Sequence, residues 1–243
     1  MSTYLDNETP TTEAPVEKAA RWEDFIDIWF SPRQLFARRA NDSWAVPMLV
    51  IALISLALAF AFRPVQQAMQ QAAMAERGMT EEQLAAARNV GGVIGIIGII
   101  FAPIGMTVAV LVASLFTWIA AKIASIDVPL RRALMITTFV TFVTVLQQAI
   151  GGVLMSLKLS KGQEIDIVKD NSFGILRFMQ PSEINDIVVA LLSRIDIFAI
   201  WTMVLYAIAF MAAAKAPKGA AWTAAIIIWV IGGLFMLIPA AMS

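Results

Sequence analysis

The chain has 243 residues, of which 59% are hydrophobic and only 15% are charged, and its 18 basic residues balance its 18 acidic ones. A charged fraction well below the roughly 25% of soluble domains indicates an integral membrane protein, and the balanced charge gives no reason to expect a nucleic acid as partner. The chain contains no cysteine and no histidine, which excludes thiol nucleophiles, disulfides, Cys/His metal sites and histidine-based acid–base catalysis.

The first predicted elements are an N-terminal tail and a short helix. Residues 1–20 are polar and acidic and lack the basic and apolar regions of a signal peptide, so we expect a disordered tail in the cytoplasm. The next residues have the periodicity of an amphipathic helix, which we expect to lie along the cytoplasmic interface. Its apolar face comprises Trp22, Phe25, Ile26 and Trp29.

Ser31 and Pro32 predict the start of a second helix, because Ser suits a helix cap and Pro suits the first turn. In this helix we expect Leu35 and Phe36 to face lipid. We expect its basic side chains to reach the lipid headgroups; these are Arg33, Arg38 and Arg39. The alternative is that the arginines only mark the cytoplasmic side of the first span.

Five apolar stretches are long enough to cross a bilayer core about 30 Å thick, which takes roughly 20 helical residues. They comprise residues 44–62, 91–121, 133–157, 195–214 and 220–242. The fold predicted is therefore an all-α polytopic membrane protein. It is a bundle of five transmembrane helices with an N-terminal cytoplasmic interfacial helix, in which residues 21–243 form one membrane domain.

The second span contains Pro103 and several glycines between residues 91 and 105. No polar turn divides it, so we expect one tilted or kinked helix instead of two crossings. The glycines favour close helix packing or dimerisation over a broken substrate-binding helix, because no matching broken segment occurs elsewhere in the chain.

Basic residues near the span ends predict the orientation. With the N-terminus in the cytoplasm, one side receives the N-terminal arginines and the short basic loops, namely Arg33, Arg38, Arg39, Lys122, Arg131, Arg132, Lys215 and Lys218. The loops on the other side also carry basic residues, but these are mixed with acids. We therefore expect a cytoplasmic N-terminus and an external C-terminus.

The third span carries a polar stripe at helical spacing, formed by Thr137, Thr141, Thr144 and Gln148. One interpretation is a conduction or substrate path, and the other is hydrogen bonding between helices of the bundle. We favour hydrogen bonding, because no charged residue lies along the stripe.

Arg194 and Asp196 lie at the start of the fourth span. They fit structural anchoring, with Asp196 at a helix N-terminus and Arg194 at the headgroups, or alternatively a gated polar site. Residues 182–193 would then form a separate interfacial helix. We also expect Asp196 to contact Arg63 or Arg88.

One outer segment, residues 163–178, has alternating apolar residues on both sides of "DNSFG". This pattern is compatible with a small β-hairpin.

Three phrases together resemble the Yip1 family of multi-spanning membrane proteins in its prokaryotic form. The first is "WFSPRQLFARRANDSWAVPMLV", an aromatic residue, Ser-Pro and a basic helix before span one. The second is the proline-bearing second span followed by "ASIDVPLRRALMITTFV". The third is "RIDIFAIWTMVLYAIAF", which is similar to the family's opening of span four at Ile195, Asp196, Phe198 and Trp201.

For eukaryotic relatives, this resemblance implies binding of prenylated Rab GTPases and a part in vesicle traffic. For prokaryotic relatives it implies no established activity, and some lie beside membrane export systems. The short loops and brief tail fit the prokaryotic side, which implies the inner (plasma) membrane as location.

The function predicted is therefore a non-catalytic scaffold or adaptor for membrane trafficking or for assembly of another membrane complex. Its partners would be the lipid bilayer and another membrane protein or a second copy of the chain. A small-molecule channel, a transporter or a transporter accessory subunit is the alternative, with Thr141, Gln148 and Asp196 as working parts. An intramembrane enzyme ranks last because no pair of acids lies within the spans, and we expect no cofactor or metal.

Overall fold

The structure, a computed structural model, describes residues 22–76, 81–180 and 183–240, and these residues form helices without a β-sheet. The predicted tail, residues 1–20, lies outside these ranges. The first six helices in chain order are α1 (Asp24–Phe30), α2 (Pro32–Arg39), α3 (Ala45–Ala61), α4 (Arg63–Glu76), α5 (Glu81–Ile123) and α6 (Leu130–Ser160). The remaining helices are α7 (Ile167–Asp170), a 3₁₀ turn (Ile175–Phe178), α8 (Asp186–Leu192), α9 (Ile197–Ala213) and α10 (Lys218–Ala240).

Each predicted span coincides with a helix, although the helices differ in their capacity to cross a membrane. By length and composition three qualify, over Gly95–Ile123, Leu130–Ser160 and Lys218–Phe235. A fourth qualifies if α3 and the start of α4, which meet at a bend of 55°, count as one span. Helix α9 is apolar but has only 17 residues. The described residues thus support an all-helical membrane protein with three or four candidate spans, and five crossings remain a prediction.

Helix α5 is continuous over 43 residues with Pro103 inside it, so the expectation of one helix instead of two crossings is confirmed. Added Cβ atoms on Gly95, Gly98 and Gly105 would meet no atom within 4 Å. The close packing expected at these three glycines is therefore absent from the part of the chain that the structure describes. Dimerisation through them remains a prediction.

The first two helices pack into the bundle instead of lying on it. Leu35 and Phe36 are fully buried, where lipid contact was expected. The ring of Phe36 meets that of Phe139 on α6 edge to face at 6.4 Å, and Phe25 meets Phe142 in the same way at 4.7 Å. Helix α2 also packs against α9. Apolar residues that face lipid and apolar residues that pack against protein have similar composition. The sequence pattern therefore could not distinguish lipid contact from burial for Leu35 and Phe36.

The outer segment after α6 is helical, so the hairpin interpretation is wrong. Asp166 accepts a hydrogen bond from the Lys169 amide at 2.9 Å and caps α7, and a 3₁₀ turn follows where the second strand was expected. The separate helix expected after residue 182 is present as α8, but its cap is Asn185, which accepts from the Ile187 amide at 2.9 Å.

Candidate functional site

Helices α1 and α2 form an antiparallel hairpin held by a group of charged side chains, which we call the hairpin cluster: Asp24, Asp27, Arg38, Arg39 and Asp42. Arg38 Nη2 donates to Asp24 at 2.6 Å and to Asp27 at 2.5 Å. Arg39 Nε donates to Asp24 at 3.0 Å, and its Nη1 donates to Asp42 at 2.8 Å. One carboxylate, that of Asp24, therefore holds two arginines.

Three members of the hairpin cluster are largely sheltered from solvent, since the Asp24 side chain is 6% exposed and those of Arg38 and Arg39 are 13% and 14% exposed. Burial alone lowers the pKa of both arginines, but the hydrogen bonds and charges of their aspartate partners outweigh it. The pKa of Arg38 and Arg39 is consequently raised above its ordinary value. Both guanidinium groups therefore stay charged at any physiological pH and remain available to pair with the aspartates.

The hairpin cluster changes the predicted role of these residues. Arg38 and Arg39 were expected at the headgroups, but they are turned inward to aspartates of the preceding helix. Pro32 does occupy the first turn of α2 as expected, whereas the Ser31 side chain makes no cap hydrogen bond. Opposite charges fourteen and fifteen positions apart, on either side of a Ser-Pro turn, were the signal in the sequence that pointed to this pairing.

Once the hairpin is docked, one face of α1 remains uncovered; we call it the apolar stripe: Trp22, Ile26 and Phe30. These side chains recur every four residues and are 63%, 49% and 81% exposed. Phe25 and Trp29, which were predicted on the same face, are instead half-buried against the bundle. A cleft opens beside Trp22 between α1, α3 and α6, with Asp24, Arg39 and Asp42 on its polar side and Val50 and Phe139 on its apolar side.

Three further arginines lie at this end of the bundle: Arg132 is hydrogen-bonded within the chain, whereas Arg33 and Arg131 are exposed. Arg132 donates from Nε to the Ala40 carbonyl at 3.1 Å and from Nη2 to the Asn41 side chain at 2.9 Å. It thereby joins the start of α6 to the loop between α2 and α3. Arg33 and Arg131 are exposed and available for contact with headgroups or a partner.

The polar stripe of span three does not form a shared interior path. Thr137 is buried and donates to Thr117 of α5 at 3.0 Å, and Tyr206 of α9 is also buried. Thr141 donates to the Thr137 carbonyl of its own helix at 2.8 Å, whereas Gln148 is exposed. Interhelical hydrogen bonding is thus present at the buried end of the stripe, through a partner in α5 that the stripe itself did not indicate. Pro103 lies apart from this cluster and its carbonyl accepts from Thr107 at 2.8 Å.

Asp196 caps α9 and ties the outer segment to it. One carboxylate oxygen accepts from the Phe198 amide at 2.8 Å and the other accepts from the Phe173 amide at 2.6 Å. The rings of Phe173 and Phe198 meet edge to face at 5.1 Å. The expected helix-cap role is therefore observed. No ion pair joins Asp196 to Arg63 among the described side chains, and the Arg88 side chain lies outside them.

The Arg194 side chain folds onto α10, and its expected contact with lipid headgroups stays a prediction. Its Nη2 donates to the Trp229 carbonyl at 2.9 Å, and its guanidinium lies 5.2 Å from the Trp229 ring. Nε of Arg194 and the indole nitrogens of Trp201 and Trp229 are buried without an acceptor in the described part of the chain. In that same part, no group of acidic side chains has the arrangement of a metal site.

The Yip1 domain family matches residues 26–238, which is nearly the whole chain. This match confirms the resemblance found in the three sequence phrases. No curated protein and no solved structure matches the chain.

Proposed function

The chain belongs to the Yip1 family, which indicates a non-catalytic membrane protein, and from that premise we propose that it is an adaptor that holds another membrane protein. The contact region would be the apolar stripe, with Arg33 and Arg131 as exposed basic residues at the same end of the bundle. Orientation follows the basic loops, with this end in the cytoplasm and the C-terminus outside. The location would be a prokaryotic plasma membrane.

The observation that carries the proposal is the rigid presentation of the apolar stripe. Three side chains of the hairpin, Ile28, Leu35 and Phe36, are fully buried, and the ion pairs of the hairpin cluster join its two helices. A face built on a fixed element loses little conformational freedom on binding, so more of the contact energy remains for affinity. Trp22 and Phe30 are aromatic, and aromatic anchors are common where binding energy concentrates.

The adjoining cleft supports a protein partner over lipid alone. It combines apolar walls with the partly exposed carboxylate of Asp42, whose side chain is 47% exposed. A partner that inserts an apolar side chain and places a basic group near Asp42 would complement both. Lipid tails would match only the apolar walls.

Affinity purification of the tagged full-length chain from native membranes tests this proposal. A protein should co-purify with the wild type and be lost from the variant Trp22→Ser, Ile26→Ser, Phe30→Ser. Ile123→Ser with Leu130→Ser is the control, because both residues are exposed and apolar, at the end of α5 and the start of α6. Equal recovery of every protein from the triple variant and the wild type would refute the proposed contact region.

A further inference from the structure

Arg194 lies in a notch on α10 at the other end of the bundle. Gly232 and Gly233 leave room for it, since Cβ atoms added there would approach the guanidinium group to 3.3 Å and 3.7 Å. The Trp229 ring covers it on another side at 5.2 Å. The side chain is therefore enclosed by protein on the α10 side and partly open on the other.

The positive charge of this guanidinium has no counter-ion among the described side chains. The nearest acidic residue in sequence, Asp196, spends both oxygens on the amides of Phe198 and Phe173. Desolvation acts on Arg194 without a compensating charge from a carboxylate. A charge that is partly removed from water is costly unless it is paired, so an anion from outside the described chain is expected.

The polar groups around Arg194 that lack a hydrogen-bond partner in the described part of the chain are all N–H donors. A guanidinium offers five N–H groups, and the Nη2 bond to the Trp229 carbonyl is its only hydrogen bond in the described part of the chain. The Trp229 indole N–H also lacks an acceptor there. Phosphate oxygens are acceptors only, and they fit the planar fork of arginine in pairs.

The residues around Arg194 favour a lipid as the molecule that would supply such a phosphate group. Leu191, Ile195 and Ile197 flank Arg194 in the chain, and each is at least half exposed. Arg194 lies just before the apolar helix α9, and exposed aliphatic residues beside a charge at the start of such a helix are typical of the boundary between acyl chains and headgroups.

We propose that Arg194, in the notch formed by Trp229, Gly232 and Gly233, binds the phosphate group of one phospholipid from the leaflet at this end of the bundle. The acyl chains would lie along Ile195 and Ile197. This site is independent of the proposed adaptor function, because it lies at the opposite end of the bundle from the apolar stripe.

Native mass spectrometry of the full-length chain in detergent tests the site with two probes that share acyl chains, dioleoyl phosphatidylglycerol and dioleoylglycerol. The wild type should retain one phosphatidylglycerol per chain and no dioleoylglycerol. Arg194→Gln should retain about tenfold less phosphatidylglycerol, as expected for the loss of a charge-assisted pair. Arg177→Gln is the control and should bind like the wild type. Arg177 also lies over an aromatic ring, that of Phe173, but its guanidinium donates to the Ser172 carbonyl.

Arg194→Lys provides a second variant that keeps the charge but loses the planar fork, and its retention should fall between those of wild type and Arg194→Gln. The comparison of the two lipids on the wild type requires no variant. Equal retention by Arg194→Gln, or equal binding of dioleoylglycerol, would overturn the site. Displacement of the lipid by millimolar inorganic phosphate would show a site for the free anion and would overturn the lipid assignment.

Discussion

Asp24 is the residue on which the hairpin depends most. Its carboxylate accepts from Arg38 Nε and Nη2 and from Arg39 Nε, at distances between 2.6 and 3.2 Å. An acid that neutralises two sheltered arginines is hard to replace, because removing it leaves both charges without their shared partner.

We predict that Asp24→Asn lowers the free energy of unfolding by about 2–4 kcal/mol, since two partly buried guanidinium groups lose one negative charge. Thermal unfolding in detergent, followed by tryptophan fluorescence, measures the change. Asp127→Asn is the control, because the Asp127 side chain is fully exposed in its pair with Lys122. An equal effect of both substitutions would contradict the special role of Asp24.

At the opposite end of the bundle, Asp196 joins two segments as Asp24 does, but it accepts hydrogen bonds from backbone amides instead of arginines. Asp196→Ala should cost about 1–2 kcal/mol and speed hydrogen exchange at the Phe173 and Phe198 amides, because both lose their acceptor. Asp196→Asn should be milder, because one oxygen remains. Protein capture in the affinity purification should be unaffected by Asp196→Asn, and a loss of capture with normal folding would argue against a purely structural role.

Helix α6 is the element around which the others assemble. It contacts α5, α3 and α9, and it also receives the hairpin through Phe139 and Phe142. Near its far end, Gly152 lets the ring of Phe62 lie directly on the helix backbone, where α3 bends into α4. The position of that bend therefore depends on the missing side chain of Gly152.

We predict that Gly152→Val destabilises the protein by about 1–3 kcal/mol, because its side chain would collide with the Phe62 ring and push α3 and α4 away from α6. The apparent melting temperature measures this effect. Gly98→Ala should leave the melting temperature unchanged or slightly higher, because nothing surrounds an added Cβ at that position. A melting temperature for Gly152→Val equal to that of the wild type would refute the packing of Phe62 on α6.

The sequence predicted most of the helices but not which helices pack against each other. Apolar runs located the helices α3, α5, α6, α9 and α10. Pro103 was correctly placed within one helix, because the absence of a polar turn is a local property. The burial of Leu35 and Phe36 and the pairing of Arg38 depend on which helices meet, and lipid-facing and protein-facing residues have similar composition. The same limit explains Arg194, whose contact with Trp229 joins residues 35 positions apart.

At the scale of the whole molecule, the two ends of the bundle differ in construction. One end carries the clasped hairpin, the apolar stripe and short basic loops, whereas the other carries longer loops, the Asp196 cap and Arg194. This asymmetry agrees with a fixed orientation in the membrane, for which the basic loops predict a cytoplasmic N-terminus.

Because the chain has no native cysteine, single cysteines give a clean test of orientation. In intact cells, Gln163→Cys should react with a membrane-impermeant maleimide, since Gln163 is exposed in a loop that the basic residues predict to be outside. Asp127→Cys should react only after the membrane is opened. The reverse labelling pattern would show the opposite orientation, with the apolar stripe outside the cell.

Photocrosslinking from the apolar stripe tests the adaptor account most directly. A photoreactive phenylalanine analogue placed at Ile26 or Phe30 of the full-length chain in native membranes should crosslink to one defined membrane protein. The same probe at Gln163, in the outer loop, should not crosslink to that protein. Crosslinks from both stripe positions to lipid alone would contradict the adaptor account and identify α1 as a membrane anchor.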